Sequence, residues 1–367
     1  MVERSVKTAS LDSVKRSGFT LVELLVVMAI GAIVSTVAFS IFRLNSSYYL
    51  QNEDDIRLQQ NLRLAIYYLS RDLRMAGSGL FVLGPSIKRI KAYAPFSPTR
   101  KCGDPVVADH IGWFRYCDDK TETGVRAIFG EDGGKDRADI VTIFRSEPEF
   151  SGIVGIADSY ANDELKLAYG VDPKAILKGD VLGIVKGEEA VIFEVGDVIL
   201  DGGQITDVLI KRNGRFTSPT GLPPGFSVEG AVLYNLKDVN LVTYFIDEKN
   251  SRLMLIDHDQ KSLNPGDSEV APEVVADRVE DLELHYFFPA EKFDPSRVAQ
   301  KPAIDGARLD QEDPKSLIVG LTGKAIRKVG RFSEARPALF NRAKGQVKDN
   351  FSRGSLVVSL NLRNYGK

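Results

Sequence analysis

Phe19-Thr20-Leu21-Val22-Glu23-Leu24-Leu25-Val26-Val27-Met28-Ala29-Ile30-Gly31-Ala32-Ile33-Val34-Ser35-Thr36-Val37-Ala38-Phe39-Ser40-Ile41-Phe42 is the stretch on which the reading of the whole chain turns, and Glu23 is its only charge. An apolar helix of about 20 residues spans the hydrocarbon core of a bilayer, so these residues predict a transmembrane helix. On the N-terminal side Arg4, Lys7, Lys15 and Arg16 stand against Glu3 and Asp12, a net charge of +2, and on the far side Asn45, Ser46 and Ser47 lead to Glu53, Asp54 and Asp55. Flanking basic residues stay on the cytoplasmic side, which places the N-terminus in the cytoplasm. A secretory signal has a shorter apolar core, about 7–15 residues, with small residues at a cut that follows it; this stretch has a different design.

The helix is expected to continue beyond the membrane. Ala32 to Ala76 contains neither Gly nor Pro, and Gly77 and Gly79 then supply C-terminal stops. At 1.5 Å per residue, Phe19 to Ala76 reaches on the order of 87 Å. In the outer half Leu62, Ala65, Ile66, Leu69, Leu73 and Ala76 recur every three or four residues, while Arg63, Arg71, Asp72 and Arg74 fall largely off that seam. The stripe predicts a stalk covered by the chain's own C-terminal part. An intermolecular coiled coil is the second reading, for which the repeat is short.

The 367 residues are 43% hydrophobic and 27% charged, the composition of a chain that folds around a substantial core. The net charge of −2, without a basic run interleaved with aromatics, argues against a phosphate backbone as partner, so no nucleic acid contact is expected. The three histidines, His110, His258 and His285, stand in no recognisable pairing with a nucleophile or a carboxylate. His285 alternates with Leu284 and Tyr286, as a residue on a sheet surface does. Gly320-Leu321-Thr322-Gly323-Lys324 lacks the four residues between glycines that a phosphate loop requires, and Ala325 follows where Ser or Thr is needed. The expectation is a protein that is not an enzyme and has no cofactor.

At the start of the apolar run the residues are Lys15-Arg16-Ser17-Gly18-Phe19-Thr20-Leu21-Val22-Glu23-Leu24-Leu25-Val26. This resembles the processing site of type IV prepilins. The resemblance implies that a prepilin peptidase cuts between Gly18 and Phe19 and that the new N-terminal Phe19 is methylated. Gly18 has no side chain, so the enzyme can approach its peptide bond closely. Glu23 costs roughly 2.5–3.5 kcal/mol at the centre of a membrane helix, less near its start, and such a charge calls for a function. In the family the matching glutamate meets the N-terminal amine of a neighbouring subunit during assembly. The plainer reading is that Glu23 complements the helix dipole, worth about 0.3–1 kcal/mol.

Leu69-Ser70-Arg71-Asp72-Leu73-Arg74-Met75-Ala76-Gly77 and Ser355-Leu356-Val357-Val358-Ser359-Leu360-Asn361-Leu362-Arg363-Asn364 are similar to segments of PilW-type minor pilins, and Asp139-Ile140-Val141-Thr142-Ile143 is a weaker likeness. Major pilins commonly carry a kinking proline where this chain has Ser40, which with the large head points away from the filament shaft. The resemblance implies a minor pilin, held in the inner membrane as a single-pass precursor and then moved to the pilus at the cell surface. It would act in pilus assembly initiation or at the pilus tip. Its partners would be prepilin peptidase, other minor pilins, the major pilin and a pilus tip adhesin. The alternatives are a pseudopilin of a type II secretion system and a membrane-anchored exported binding module. For the last, Gly130 to Asp139 offers acidic oxygens for calcium, although Lys135 and Arg137 oppose a cation. No metal site is expected.

Beyond Gly77, short apolar runs separated by Gly, Pro, Asn and Asp predict strands at 140–144, 181–185, 191–195, 208–210, 231–236, 241–246, 253–256, 282–288, 318–321 and 356–362. The second predicted hairpin arm follows the turn Asp247 to Ser251. Pro95 to Pro105, Ser218 to Gly225 and Phe293 to Pro314 read as surface loops. Cys102 and Cys117 are the only cysteines; in an exported head a disulfide between them closes about 15 residues and contributes roughly 3 kcal/mol, the alternative being two free thiols. The expected fold class is α+β and type IV pilin-like: residues 1–18 a prepilin leader peptide, 19–76 a transmembrane and stalk helix, and 77–367 an exported β-rich head. That head is one domain or two lobes divided near Gly170 or Gly214.

Overall fold

A computed structural model describes residues 20–78, 89–91, 128–131, 137–146, 152–212, 221–223, 225–236, 239–257, 272–287, 314–328, 334–340, 344–346 and 348–362. One helix, α1 (Leu21–Met75), precedes β1 (Arg89–Lys91), β2 (Ile128–Glu131), β3 (Ile140–Ser146), β4 (Gly152–Ala161), β5 (Glu164–Val171), β6 (Val181–Lys186), β7 (Glu189–Asp201), β8 (Gln204–Ile210) and β9 (Val232–Asn235). Then follow β10 (Val239–Asp247), β11 (Arg252–Asp257), β12 (Glu273–Asp277), β13 (Val279–Phe287), β14 (Ser316–Lys328), β15 (Glu334–Ala335), β16 (Lys348–Asp349) and β17 (Phe351–Asn361). The fold is a long N-terminal helix followed by a mostly β region, and every predicted strand segment lies in or overlaps an observed strand. The chain divides into two units, Met1–Glu53 and Asp54–Lys367.

In the second unit α1 buries Asp54, Leu58, Leu62, Ala65, Leu69, Asp72 and Leu73, and Ala76 beyond its end is 1% exposed. The stripe predicted from the spacing is therefore covered by the chain itself. Asp72 departs from the sequence reading: it is not off the seam but fully buried on it. Positions 58, 62, 65, 69, 72 and 76 advance by alternating steps of three and four, so Asp72 occupies a core position of the same helical face. The helix stops at Gly77, which adopts φ 72° and donates its N–H to the Phe144 carbonyl at 2.8 Å; glycine reaches this left-handed region without a Cβ penalty. Gly79 lies outside the described residues.

The helix seam belongs to one apolar core with residues of β3, β10, β13, β14 and β17. Two antiparallel sheets supply them: a five-stranded sheet in the order β12-β11-β10-β3-β2 and a three-stranded sheet β13-β14-β17. β10 and β11 form the predicted hairpin, with Asp247 opposite Arg252 and Ser251 at φ 53°.

The remaining large sheet has the order β7-β6-β9-β4-β5-β8, and β8 pairs back with β7. It is a closed antiparallel barrel, with β1 added in parallel to β7. Its interior is a separate apolar cluster that includes Leu165, Leu182, Ile184, Phe193, Val208 and Leu233. Two-residue turns make two of its hairpins: Asn162 and Asp163, at φ 52° and 65°, and Gly202 and Gly203, at φ 57° and 85°. Positive φ at both positions is the turn geometry that matches the twist of paired strands. Gly170, considered above as a lobe boundary, instead lies within β5; Gly214 and the cysteines at 102 and 117 fall outside the described residues.

Candidate functional site

At the head of α1 the residues build a capping box. Thr20 precedes the first helical residue, its N–H donates to Glu23 Oε2 at 2.9 Å, its hydroxyl donates to the same oxygen at 3.0 Å, and the Glu23 N–H donates to Thr20 Oγ1 at 3.3 Å. The first N–H groups of a helix lack intrahelical acceptors, and a Thr-x-x-Glu pair satisfies two of them reciprocally. Both contacts from Thr20 fall on Oε2. Gly18 and Phe19 lie outside the described residues.

Within the first unit every residue from Thr20 to Asn45 is exposed, including Leu21 at 75%, Phe39 at 63% and Phe42 at 67%. The helix is long and apolar enough to cross a membrane, with a mean hydropathy of 2.5 over its most apolar window, none of it buried. Two of its hydroxyls are satisfied by the helix itself: Thr36 Oγ1 donates to the Ala32 carbonyl and Ser40 Oγ to the Thr36 carbonyl, each at 2.8 Å. Such back-bonding removes the penalty of an unpaired hydroxyl in lipid or in a helix bundle.

In the second unit two carboxylates stand on the stalk seam. Asp72 accepts from Tyr244 Oη at 2.6 Å, from Arg145 Nη1 at 2.5 Å and from Arg71 Nε at 2.8 Å. Burial, followed by the Asp72 charge, raises the Tyr244 hydroxyl far above its ordinary value, so the phenol keeps its proton and remains a donor. Asp54 accepts from the Arg327 N–H at 3.1 Å, with the Arg327 guanidinium at 3.9 Å. Between them the helix meets a flat place in the three-stranded sheet. Gly323 of β14 is opposite Gly354 of β17. A Cβ on Gly323 would lie 2.6 Å from Leu58 Cδ1 and 2.7 Å from the Arg278 carbonyl, whereas one on Gly354 would lie 3.6 Å from Leu58 Cδ2.

On this sheet Arg353 of β17 donates to Glu280 Oε2 of β13 at 2.8 Å and to both oxygens of Asp349, at 2.7 and 2.8 Å. Lys324 lies 3.2 Å from Asp349. The Arg353 bonds hold the Asp349 carboxyl well below the usual carboxylate range.

The other sequence candidates have structural roles. His285 is not on a sheet surface; it is 2% exposed and packs edge-on to Phe287 at 4.8 Å. The Gly320–Lys324 segment is the middle of β14, not a loop. Asp139, from the acidic segment considered for calcium, is buried and accepts the Leu284 N–H at 2.7 Å. No group of three or more metal-ligating side chains occurs among the described residues. Sequence reasoning missed Asp72, Tyr244 and Arg145 as a cluster. The signal for Asp72 was its place on the seam; nothing local marks its partners.

Residues 14–39 match the family model described as the prokaryotic N-terminal methylation motif, a span that contains Gly18, Phe19, Thr20 and Glu23. The chain therefore carries the N-terminal motif of prepilin-type proteins. No curated protein matches the sequence. Among solved structures the chain is similar to a type IV-like pilin from Thermus thermophilus, at 11% identity, over 52% of this chain and 87% of that one. The TM-score is 0.23, too low for the superposition to bear on this fold.

Proposed function

We propose that the chain is a minor pilin of a type IV pilus, made as an inner-membrane precursor, cut by prepilin peptidase after Gly18, methylated at Phe19 and used in assembly initiation or at the pilus tip. The observation that carries this reading is the match of residues 14–39 to the N-terminal methylation motif, which runs into the start of an exposed apolar helix, Leu21–Met75. The helix exchanges lipid for neighbouring helices, so its hydrophobic burial is conserved and close packing sets the register. Glu23 meets the incoming subunit. Its Oε2 serves the capping box with Thr20, and the same carboxylate is the acceptor for the amine of a neighbour. In this reading the protein is a structural subunit whose chemistry is performed on it, and Cys102 and Cys117 form a disulfide in the exported head. A pseudopilin shares the same leader and Glu23 logic; the PilW-like segments at 69–77 and 355–364 favour the pilus.

Intact mass of the chain, expressed with and without a prepilin peptidase, tests the proposal. Loss of Met1 to Gly18 that depends on the peptidase and is blocked by Gly18→Val is expected. An uncleaved chain under both conditions removes the filament reading and leaves a membrane-anchored exported domain.

A further inference from the structure

β3 and β10 are neighbours in the five-stranded sheet, with Ser146 opposite Val239, yet everything from residue 147 to residue 238 lies between them in the chain. The barrel occupies that interval. Its first strand β4 and its last strand β9 are themselves paired, Gly152 opposite Asn235. The chain thus leaves one sheet as a registered strand pair and reaches the barrel as a registered strand pair, bridged by residues 147–151 on one side and 236–238 on the other. Thr142 and Thr243, opposite one another in β3 and β10, join hydroxyls at 2.8 Å just inside that neck.

The barrel has the makings of a separate folding unit. Among the described residues its buried cluster runs from Ala157 to Leu233 and takes none from outside that range. Closure leaves one open strand edge, residues 189–191 of β7, which β1 pairs from outside the barrel. Domains of roughly 60 residues already fold alone, and this one is larger. The remainder of the second unit is joined to it through one side: Val181, Ala190 and Ile192 of β6 and β7 enter the framework core, while β4, β5 and β8 contribute no buried residue to it. The polar anchors of the stalk seam come from the framework: Arg145, Tyr244 and Arg327 for the carboxylates, with Gly323 and Gly354 beneath Leu58 and Leu62.

We propose that residues 152–235 are a barrel module inserted into the β3–β10 hairpin, folding as a cooperative unit of its own, while the framework supplies the polar anchors of the stalk. A module of this kind can vary, unfold or be displayed without release of the helix. The sequence trace of the insertion is the pair of continuous apolar runs in β6 and β7. There Leu182 and Ile184, and Val191 and Phe193, face the barrel interior, while Val181, Ala190 and Ile192 face the framework.

Hydrogen–deuterium exchange on the full chain in detergent micelles tests this, with one cavity placed in each core. Phe193→Ala is expected to speed exchange of β4, β5 and β8 amides on the order of 100-fold while β13, β14 and β17 change by at least about tenfold less. Leu321→Ala is expected to do the reverse. Equal acceleration of both sets by either variant overturns the proposal. If Phe193→Ala or Leu321→Ala cannot be recovered folded, the milder Val208→Ala and Val319→Ala are read by the same criterion.

Discussion

The Tyr244 hydroxyl donates to the Asp72 carboxylate at 2.6 Å, a bond between residues 172 positions apart. It joins the last turn of the helix to the central strand of the five-stranded sheet, and Arg145 from the neighbouring strand completes the charge balance at 2.5 Å. A fully buried carboxylate is tolerable only with such partners. Removing one of them is therefore more damaging than the worth of the bond itself, because the other charge is left without compensation.

Asp72→Ala is expected to destabilise the head by about 3–5 kcal/mol, the range for breaking a buried ion pair. Tyr244→Phe, which removes one donor and keeps the ring, is expected to cost about 1.5–3 kcal/mol. Urea unfolding followed by tyrosine fluorescence measures both, and the double variant should fall short of their sum because the two residues share one bond.

Gly323→Ala is expected to destabilise by about 1–3 kcal/mol, since its new methyl group meets the Arg278 carbonyl at 2.7 Å, an atom of the backbone that cannot turn aside. Gly354→Ala, directly opposite, meets only ordinary contacts at 3.6 Å or more and should be close to neutral. Thermal melts of the two variants that came out equal would contradict this asymmetry.

The Asp349 carboxyl, held low by Arg353, makes stability depend on pH with a definite sign. A carboxyl that binds its proton less readily when folded contributes stability that is complete above the ordinary Asp value of about 3.9 and is lost as pH falls below it. The gap in urea midpoint between wild type and Asp349→Asn should therefore be constant near neutrality and shrink in acid.

Glu23→Ala is expected to leave membrane insertion intact and to remove the chain from sheared filaments, the outcome required if the carboxylate meets a neighbour's amine. Thr20→Ala, which breaks the capping box but keeps the carboxylate, should cost the helix start about 1 kcal/mol and still permit assembly. Immunoblots of sheared and membrane fractions distinguish the two; equal incorporation of wild type and Glu23→Ala would leave only the dipole role.

Cys102 and Cys117 should be unreactive toward alkylation until reduced, with a stability loss of about 3 kcal/mol on reduction. Intact mass after alkylation, with and without reductant, shows this directly.

Part of this protein is decided by short windows of sequence. The apolar run that ends at Phe42, the amphipathic stripe from Leu62 to Ala76 and the strand segments of the head were legible because hydropathy and its period are local properties of the chain. β4 and β5 escaped that reading. Register shifts at Ile153/Gly155 and Ala157/Ser159 break the alternation of β4, and the Asn162-Asp163 turn joining the pair carries neither Gly nor Pro.

By itself the sequence determined that a membrane-length helix carrying a prepilin-type motif leads into a β-rich head, and that one face of the stalk would be covered. The tertiary structure alone decided what covers it, that Asp72 lies inside, that Gly323 and Gly354 form a seat for Leu58 and Leu62, and that β7 pairs with both β6 and β8 to close a barrel. The reason is physical: helix and strand periods are set by neighbours along the chain. A buried charge, a glycine seat or a closed sheet is stabilised only by groups that distant segments bring to the same place.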